Sequence, residues 1–226
     1  RTVPFVAKAT GIPVAKIASL LMIGKKLSEF NLKEKNLNYF SVKEVVFPFA
    51  RFSNVDTILG PEMKSTGEVM GIDVNFPLAF AKAQVAAGVK LPTSGLVFLS
   101  VKDSDKKHLP QIAEKLIKIG FKIVATRGTA KLLAENNIAV TIVNKITEDK
   151  PHVVDMLERK EISLVINTTE GAQATKDSFS IRRTSLMKGI TYTTTISGAK
   201  ALVDAIEAYQ NIDCQFEVRA LQDLNQ

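Results

Sequence analysis

From Gly95 onward, short apolar runs alternate with longer runs whose apolar positions recur every three or four residues. Gly95-Leu-Val-Phe-Leu-Ser-Val101 has the continuous apolar character of a buried strand. Leu109, Ile112, Ala113, Leu116 and Ile117 share one face of a predicted helix, capped by Ser104 or Asp105 and ending before Gly120. The same alternation predicts a strand at 121–125, a helix at 129–135 and a strand at 139–143. A helix from about Pro151 to Arg159 and a strand at 162–167 follow. A helix from Asp177 to Met187, a short strand from Thr191 to Ile196, a helix from Ala199 to Tyr209 and a last strand near Phe216 to Leu221 complete the series. Strands alternating with helices predict an α/β fold, a parallel sheet with helices on both faces.

Before Gly95 the pattern is less regular. Val14, Ile17, Ala18, Leu21 and Met22 predict a helix over 14–23. Ser41 to Phe52 is rich in Val and Phe with Pro48 inside it, which suits an edge or bent strand. Phe76 to Ala87 reads as a helix started by Asn75 with Pro77 in its first turn. Few well-formed strands are visible here, and the region reads as the tail of a larger domain. Lys90-Leu-Pro-Thr-Ser-Gly95 is linker-like, so two domains are expected, 1–94 and 95–226.

Polar residues gather where the predicted strands end: Ser100, Thr126, Lys145, Asn167 to Thr169 and Thr193 to Thr195. In parallel α/β sheets, ligands bind beyond the carboxyl ends of the strands. Thr126-Arg-Gly-Thr129 lies at a strand-to-helix turn, where free amides and the positive end of a helix dipole receive anions. Thr126 and Thr129 also suit plain capping. Lys106 stands in the first turn of a predicted helix, a poor place for a cation unless an anion is close. Lys106 and Lys145 equally suit solvated surface positions, and Asn167 to Thr169 suit a turn. The convergence of these clusters on one sheet edge favours a phosphorylated ligand.

Composition narrows the alternatives. At 226 residues and 46% apolar content, the chain can bury one large core or two small ones. No apolar run approaches the roughly 18 residues of a membrane span, so no membrane partner is expected. Arg1 is not a translation start, and an excised piece of a longer protein is expected. Cys214 is the sole cysteine, which excludes an intrachain disulfide and a Cys-based zinc site and suits a reducing cytoplasm. With His108 and His152 the only histidines, no His-rich metal site is expected. The net charge of +7 divides into 12 Lys/Arg against 7 Asp/Glu over 1–94 and 18 against 16 over 95–226. A basic surface suits a nucleotide, nucleic acid or an acidic protein. Nucleic acid is not expected: no basic block is interleaved with aromatics, and Trp is absent.

Two regions carry a family resemblance. Ser41-Val-Lys-Glu-Val-Val46 and the 13-residue run Leu59-Gly-Pro-Glu-Met-Lys-Ser-Thr-Gly-Glu-Val-Met-Gly71 resemble the end of the second synthetase half of the carbamoyl-phosphate synthase large chain. Arg1-Thr-Val-Pro-Phe-Val is similar to the segment after the metal-binding Asn-Pro-Arg of that ATP-grasp half. Val143-Asn-Lys, Pro151-His152, Ile166-Asn-Thr-Thr169 and Ile181-Arg-Arg183 resemble the family's C-terminal regulatory domain, which has a methylglyoxal-synthase-like, Rossmann-like fold.

The resemblance implies a ligase that makes carbamoyl phosphate from bicarbonate, ATP and glutamine-derived ammonia for pyrimidine and arginine synthesis. It implies ATP with Mg2+ or Mn2+, a glutamine-hydrolysing small chain and an oligomeric full enzyme. The metal-binding residues would lie upstream of Arg1, so this stretch alone is expected to be inactive and to hold no cofactor. Matched residue by residue, a nucleotide effector, UMP or IMP, would have its phosphate held by Ser100, Lys106, Thr126, Thr129 and Lys145. Asn167, Thr169, Asp177 and Ser178 would line the same pocket. Ornithine would lie between synthetase and regulatory domains against Glu44, Leu59 and Thr194.

Each residue has a plainer role beside this one. Glu44 can pair with Lys43 or solvent, although an acid in an apolar strand invites an ammonium partner. Arg182 and Arg183 suit a helix face or an interdomain contact, and His152 a helix start. A free-standing lyase like methylglyoxal synthase is the alternative enzyme. That family's Gly-Gly-Asp-Gln motif is missing, and the comparable stretch reads Val143-Asn-Lys-Ile-Thr-Glu-Asp149.

Overall fold

A computed structural model describes residues 2–33, 36–46, 67–144, 148, 151–212 and 216–224. Two helices open the chain, α1 (Thr2–Thr10) and α2 (Val14–Met22), and a 3₁₀ turn follows at Leu27–Phe30. Strands β1 (Phe40–Val46) and β2 (Gly67–Asp73) form an antiparallel pair, with Glu44 opposite Val69. Helix α3 (Phe76–Ala86) begins as expected: Asn75 Oδ1 accepts the Leu78 amide at 3.3 Å, and Pro77 fills the first turn. The sequence pattern did not disclose α1 or β2. Residues 47–52 of the expected strand lie outside the described residues.

The second region is the α/β fold that the alternation predicts. Strands β3 (Gly95–Ser100), β4 (Phe121–Ala125), β5 (Thr141–Ile142), β6 (Ile162–Asn167) and β7 (Thr191–Thr193) form one parallel sheet in the order β5-β4-β3-β6-β7. Its helices are α4 (Leu109–Lys118), α5 (Arg127–Glu135), α6 (Val153–Glu158), α7 (Ala172–Asp177), α8 (Phe179–Lys188), α9 (Ile196–Asn211) and α10 (Leu221–Leu224).

Alternate residues of each strand serve different cores. Val97, Leu99, Ile123, Leu164 and Ile166 pack under residues of α4, α5 and α9. Phe98, Val124 and Val165 pack under α6 and α8. Period-two alternation thus covers both faces. Burying each such side chain stabilises the fold by about 1.5–3 kcal/mol.

Several boundaries differ from the pattern. Ser104 and Asp105 do not cap α4; they lie in a 3₁₀ turn, Asp103–His108, and α4 starts at Leu109. Pro110 has no N–H to donate to the Lys106 carbonyl, so a continuous α-helix through this stretch loses a bond. Helix α5 starts at Arg127 rather than 129, and α9 at Ile196, where Thr195 Oγ1 accepts the Gly198 amide at 3.1 Å. Edge strand β5 keeps two residues because it meets only Val124 and Ala125 of β4. The helix expected over 177–187 is two helices, α7 and α8, meeting at Ser178. No strand forms at 216–221: Phe216 stacks on Tyr209 of α9 at 5.1 Å, and α10 follows.

Helix α3 packs on β1 and β2 and also on α9. A Cβ at Gly71 would stand 2.0 Å from the Ala79 carbonyl oxygen and 2.5 Å from the Ala83 nitrogen, so β2 meets α3 backbone to backbone. Ala81 belongs to the core beneath α9. The segment between α3 and β3 is tied down as well. Leu91 is buried, Thr191 Oγ1 donates to Lys90 O at 2.5 Å, and Gln210 Nε2 donates to Thr93 O at 2.6 Å and Ile119 O at 2.9 Å.

Candidate functional site

The carboxyl ends of β3, β4 and β6 bring hydroxyl and amide groups together. Ser100 stands opposite Asn167 in the β3–β6 register, and its Oγ lies 3.5 Å from Thr126 Oγ1. Thr168 N donates to Ser100 O at 3.0 Å, and Thr168 Oγ1 accepts the Lys102 amide at 3.1 Å. Thr126, Thr129, Asn167 and Thr168 are all at least nine-tenths buried.

Two details separate this cluster from ordinary capping. Thr126 occupies the N-cap position of α5 with extended backbone, yet its hydroxyl makes no capping bond. Asn167 Nδ2 is buried and meets no acceptor among the described residues. An unmet buried donor costs about 1–3 kcal/mol. In folded proteins such a donor is met by an ordered water, an ion or a ligand. Free amides at the start of α5 add positive potential beside it.

Cations surround this edge, and Lys106, Lys102 and Arg127 are each engaged by an acid that solvent reaches. Lys106 Nζ lies 2.7 Å from the exposed Asp103 Oδ1, and this hydrogen bond holds the Asp103 carboxyl below its usual range. Lys102 Nζ is 3.9 Å from Glu170 Oε2, and Arg127 Nε 3.9 Å from Glu148 Oε1. Lys200 Nζ approaches His108 Nδ1 at 3.2 Å. Solvent screens exposed pairs of this kind, so an arriving phosphate can displace the acids.

The remaining nominated residues scatter. Thr169 Oγ1 lies 3.3 Å from Thr175 Oγ1 of α7. Asp177 accepts from Gln173 Nε2 at 2.7 Å, and Ser178 joins α7 to α8. Lys145 and Leu59 lie outside the described residues, as does Cys214. Glu44 accepts from Gln84 Nε2 of α3 at 2.8 Å, and burial raises its carboxyl above the usual range. Thr194 is exposed just past β7, and among the described residues no hydrogen bond joins it to Glu44. His152 starts α6, its N–H bonded to Asp155 Oδ2 at 2.9 Å.

Thr175 is not legible in the sequence, because nothing in its run announces α7. Arg182, which suits a helix face or an interdomain contact by sequence, has a side chain only 2% exposed. A cleft of about 870 Å3 lies elsewhere, between residues 36–39, β2, α3 and the 216–224 segment, and includes the Lys82–Asp73 ion pair at 2.7 Å. It contains none of the nominated residues. Among the described residues, no three His, Cys, Asp or Glu side chains gather as a metal site.

Comparison with known proteins adds an independent finding. The family described as MGS-like domain matches residues 108–194. The carbamoyl phosphate synthase large chain of Xanthomonas axonopodis pv. citri is 53% identical over 208 residues, 92% of this chain and 19% of that protein. The same-named protein of Pseudomonas syringae pv. tomato is 53% identical over 226 residues, 100% of this chain and 21% of that one. That of Myxococcus xanthus is 52% identical over 225 residues, 99% and 20%. The chain thus spans about a fifth of the length of the curated relatives it matches.

Proposed function

The chain belongs to the carbamoyl phosphate synthase large chain family, and from that premise we propose that it is the effector-binding C-terminal part of such a ligase. Residues 95–226 act as the regulatory domain, and residues 1–94 complete a synthetase domain. The effector is a nucleoside monophosphate, UMP or IMP. Its phosphate lies among Ser100, Lys106, Thr126, Thr129 and Lys145, and its nucleoside along Asn167, Thr169, Asp177 and Ser178.

The observation that carries this reading is the buried, unmet amide of Asn167 beside the Ser100–Thr126 hydroxyl pair. A phosphate oxygen there would satisfy the donor. The complete enzyme makes carbamoyl phosphate from bicarbonate, ATP and glutamine-derived ammonia, with a glutamine-hydrolysing small chain and Mg2+ or Mn2+. Ornithine acts at Glu44, Leu59 and Thr194. Either effector works by preferring one state of the synthetase, a difference of about 1–3 kcal/mol.

Calorimetric titration of the chain with UMP, IMP, ornithine and inorganic phosphate tests this. Saturable nucleotide binding that Lys106→Ala weakens is the expected result. No binding of either nucleotide would sink the reading.

A further inference from the structure

Helix α7 is the least self-sufficient element at the sheet edge. It has six residues, Ala-Gln-Ala-Thr-Lys-Asp, and none is buried. A helix this short is not stable alone. The chain enters it through Gly171 at φ 83°, a conformation that glycine adopts at low cost. Its position therefore depends on contacts from outside.

Two of those contacts meet at one residue. Thr175 Oγ1 lies 3.3 Å from Thr169 Oγ1, and Thr175 O accepts a 2.8 Å hydrogen bond from Arg182 Nη2. Thr175 stands in the last turn of α7, where carbonyls lack helical donors and the dipole favours a cation. Arg182 is 2% exposed, one of the largest fully buried side chains in the fold. It projects from α8, whose Ile181 belongs to the core under the sheet. A guanidinium anchored in the core thus grips the end of a short exposed helix. That helix reaches Thr169, two residues past Asn167.

Resting on the phosphate-site reading above, we infer that Arg182 is a positioning residue that holds α7 as a wall of the pocket. The hydroxyls and amides at the ends of β3, β4 and β6 take the phosphate. The wall formed by Thr169 and α7 meets the part of the ligand beyond the phosphate. Losing Arg182 frees α7 and leaves the phosphate donors in place. Discrimination between a nucleotide and bare phosphate should therefore disappear, while phosphate binding persists.

The test compares unmodified chain, Arg182→Lys and Arg182→Gln. Calorimetry reads affinity for UMP and for inorganic phosphate, and hydrogen exchange reads the amides of 172–178 and of β6. Phosphate affinity should stay within about twofold in all three. UMP affinity should fall at least about tenfold in Arg182→Gln and less in Arg182→Lys, which keeps a donor cation. Exchange should rise over 172–178 and hold in β6. Unchanged UMP affinity, or equal loss of UMP and phosphate while β6 protection holds, would overturn the inference. If the unmodified chain binds neither probe, both readings fall. Should Arg182→Gln not fold, Thr175→Val keeps the arginine and cuts the link to Thr169. It must show the same selective loss of UMP, and unchanged affinity there would overturn the inference.

Discussion

Asn167→Leu should make the protein more stable and a poorer binder at once. The side chain sits at the end of β6, 4% exposed, with its Nδ2 lacking an acceptor among the described residues. Leucine keeps the γ-branch and carries no donor to desolvate. Removing the unmet group should recover up to about 1–3 kcal/mol. Leucine's bulkier tips return part of that through overpacking. For a chain of this size each kcal/mol moves Tm by about 2–4 °C, so a rise of a few degrees is expected. Binding moves the other way, because a hydrogen bond to a charged oxygen contributes about 1.5–3 kcal/mol. At about 1.4 kcal/mol per decade, UMP affinity should fall roughly 10- to 100-fold. Scanning calorimetry with and without UMP reads both effects, and the nucleotide's stabilising shift should shrink in the variant. A variant that melts lower and binds UMP as tightly as the parent would show Asn167 to be a structural strand residue and would refute the argument.

Lys106→Ala should weaken nucleotide binding by roughly 10- to 100-fold with little change in Tm, since it removes one charge-assisted contact. Asp103→Asn should tighten binding by removing the acid that now holds Lys106; titrations of both variants, with weaker binding in Asp103→Asn as the contrary result, check the pair. Glu44→Gln should stabilise the fold at pH 7. Burial raises the Glu44 carboxyl from about 4.5, so its favourable contribution is present below that pH and lost as pH rises through the raised folded value. Melting curves from pH 4 to 8 should show the two proteins converging at the acid end; a less stable Gln variant at pH 7 would contradict this. Gly71→Ala drives a methyl into the α3 backbone and should cost about 1–3 kcal/mol or more, read as a Tm loss of several degrees.

The parallel sheet was legible because its strands are continuous apolar runs and its helices have a regular period. The gathering of Ser100, Thr126 and Asn167 at one edge was legible because the carboxyl ends of parallel strands converge there. What stayed hidden depends on tertiary contacts. Ala172 to Asp177 has no apolar stripe, and the grip of Arg182 on Thr175 is invisible in a sequence that shows only an arginine on a helix. Phe216 and Val218 alternate like a strand, yet Phe216 stacks on Tyr209 while Val218 is exposed. Strand β2 was missed because Gly67 and Gly71 weaken its pattern; Gly71 is there for the close approach of a helix.

That close approach bears on how movement passes through the molecule. Interlocked long side chains absorb small displacements, because each can change rotamer while its backbone stays put. The seam between β2 and α3 has no such slack: glycine faces helix backbone, and Ala79 and Ala83 have no χ angles to turn. The far side of the same helix lies against α9. Whatever part of an α9 shift reaches α3 therefore passes to β2 undamped: the strand moves with the helix, or the seam parts.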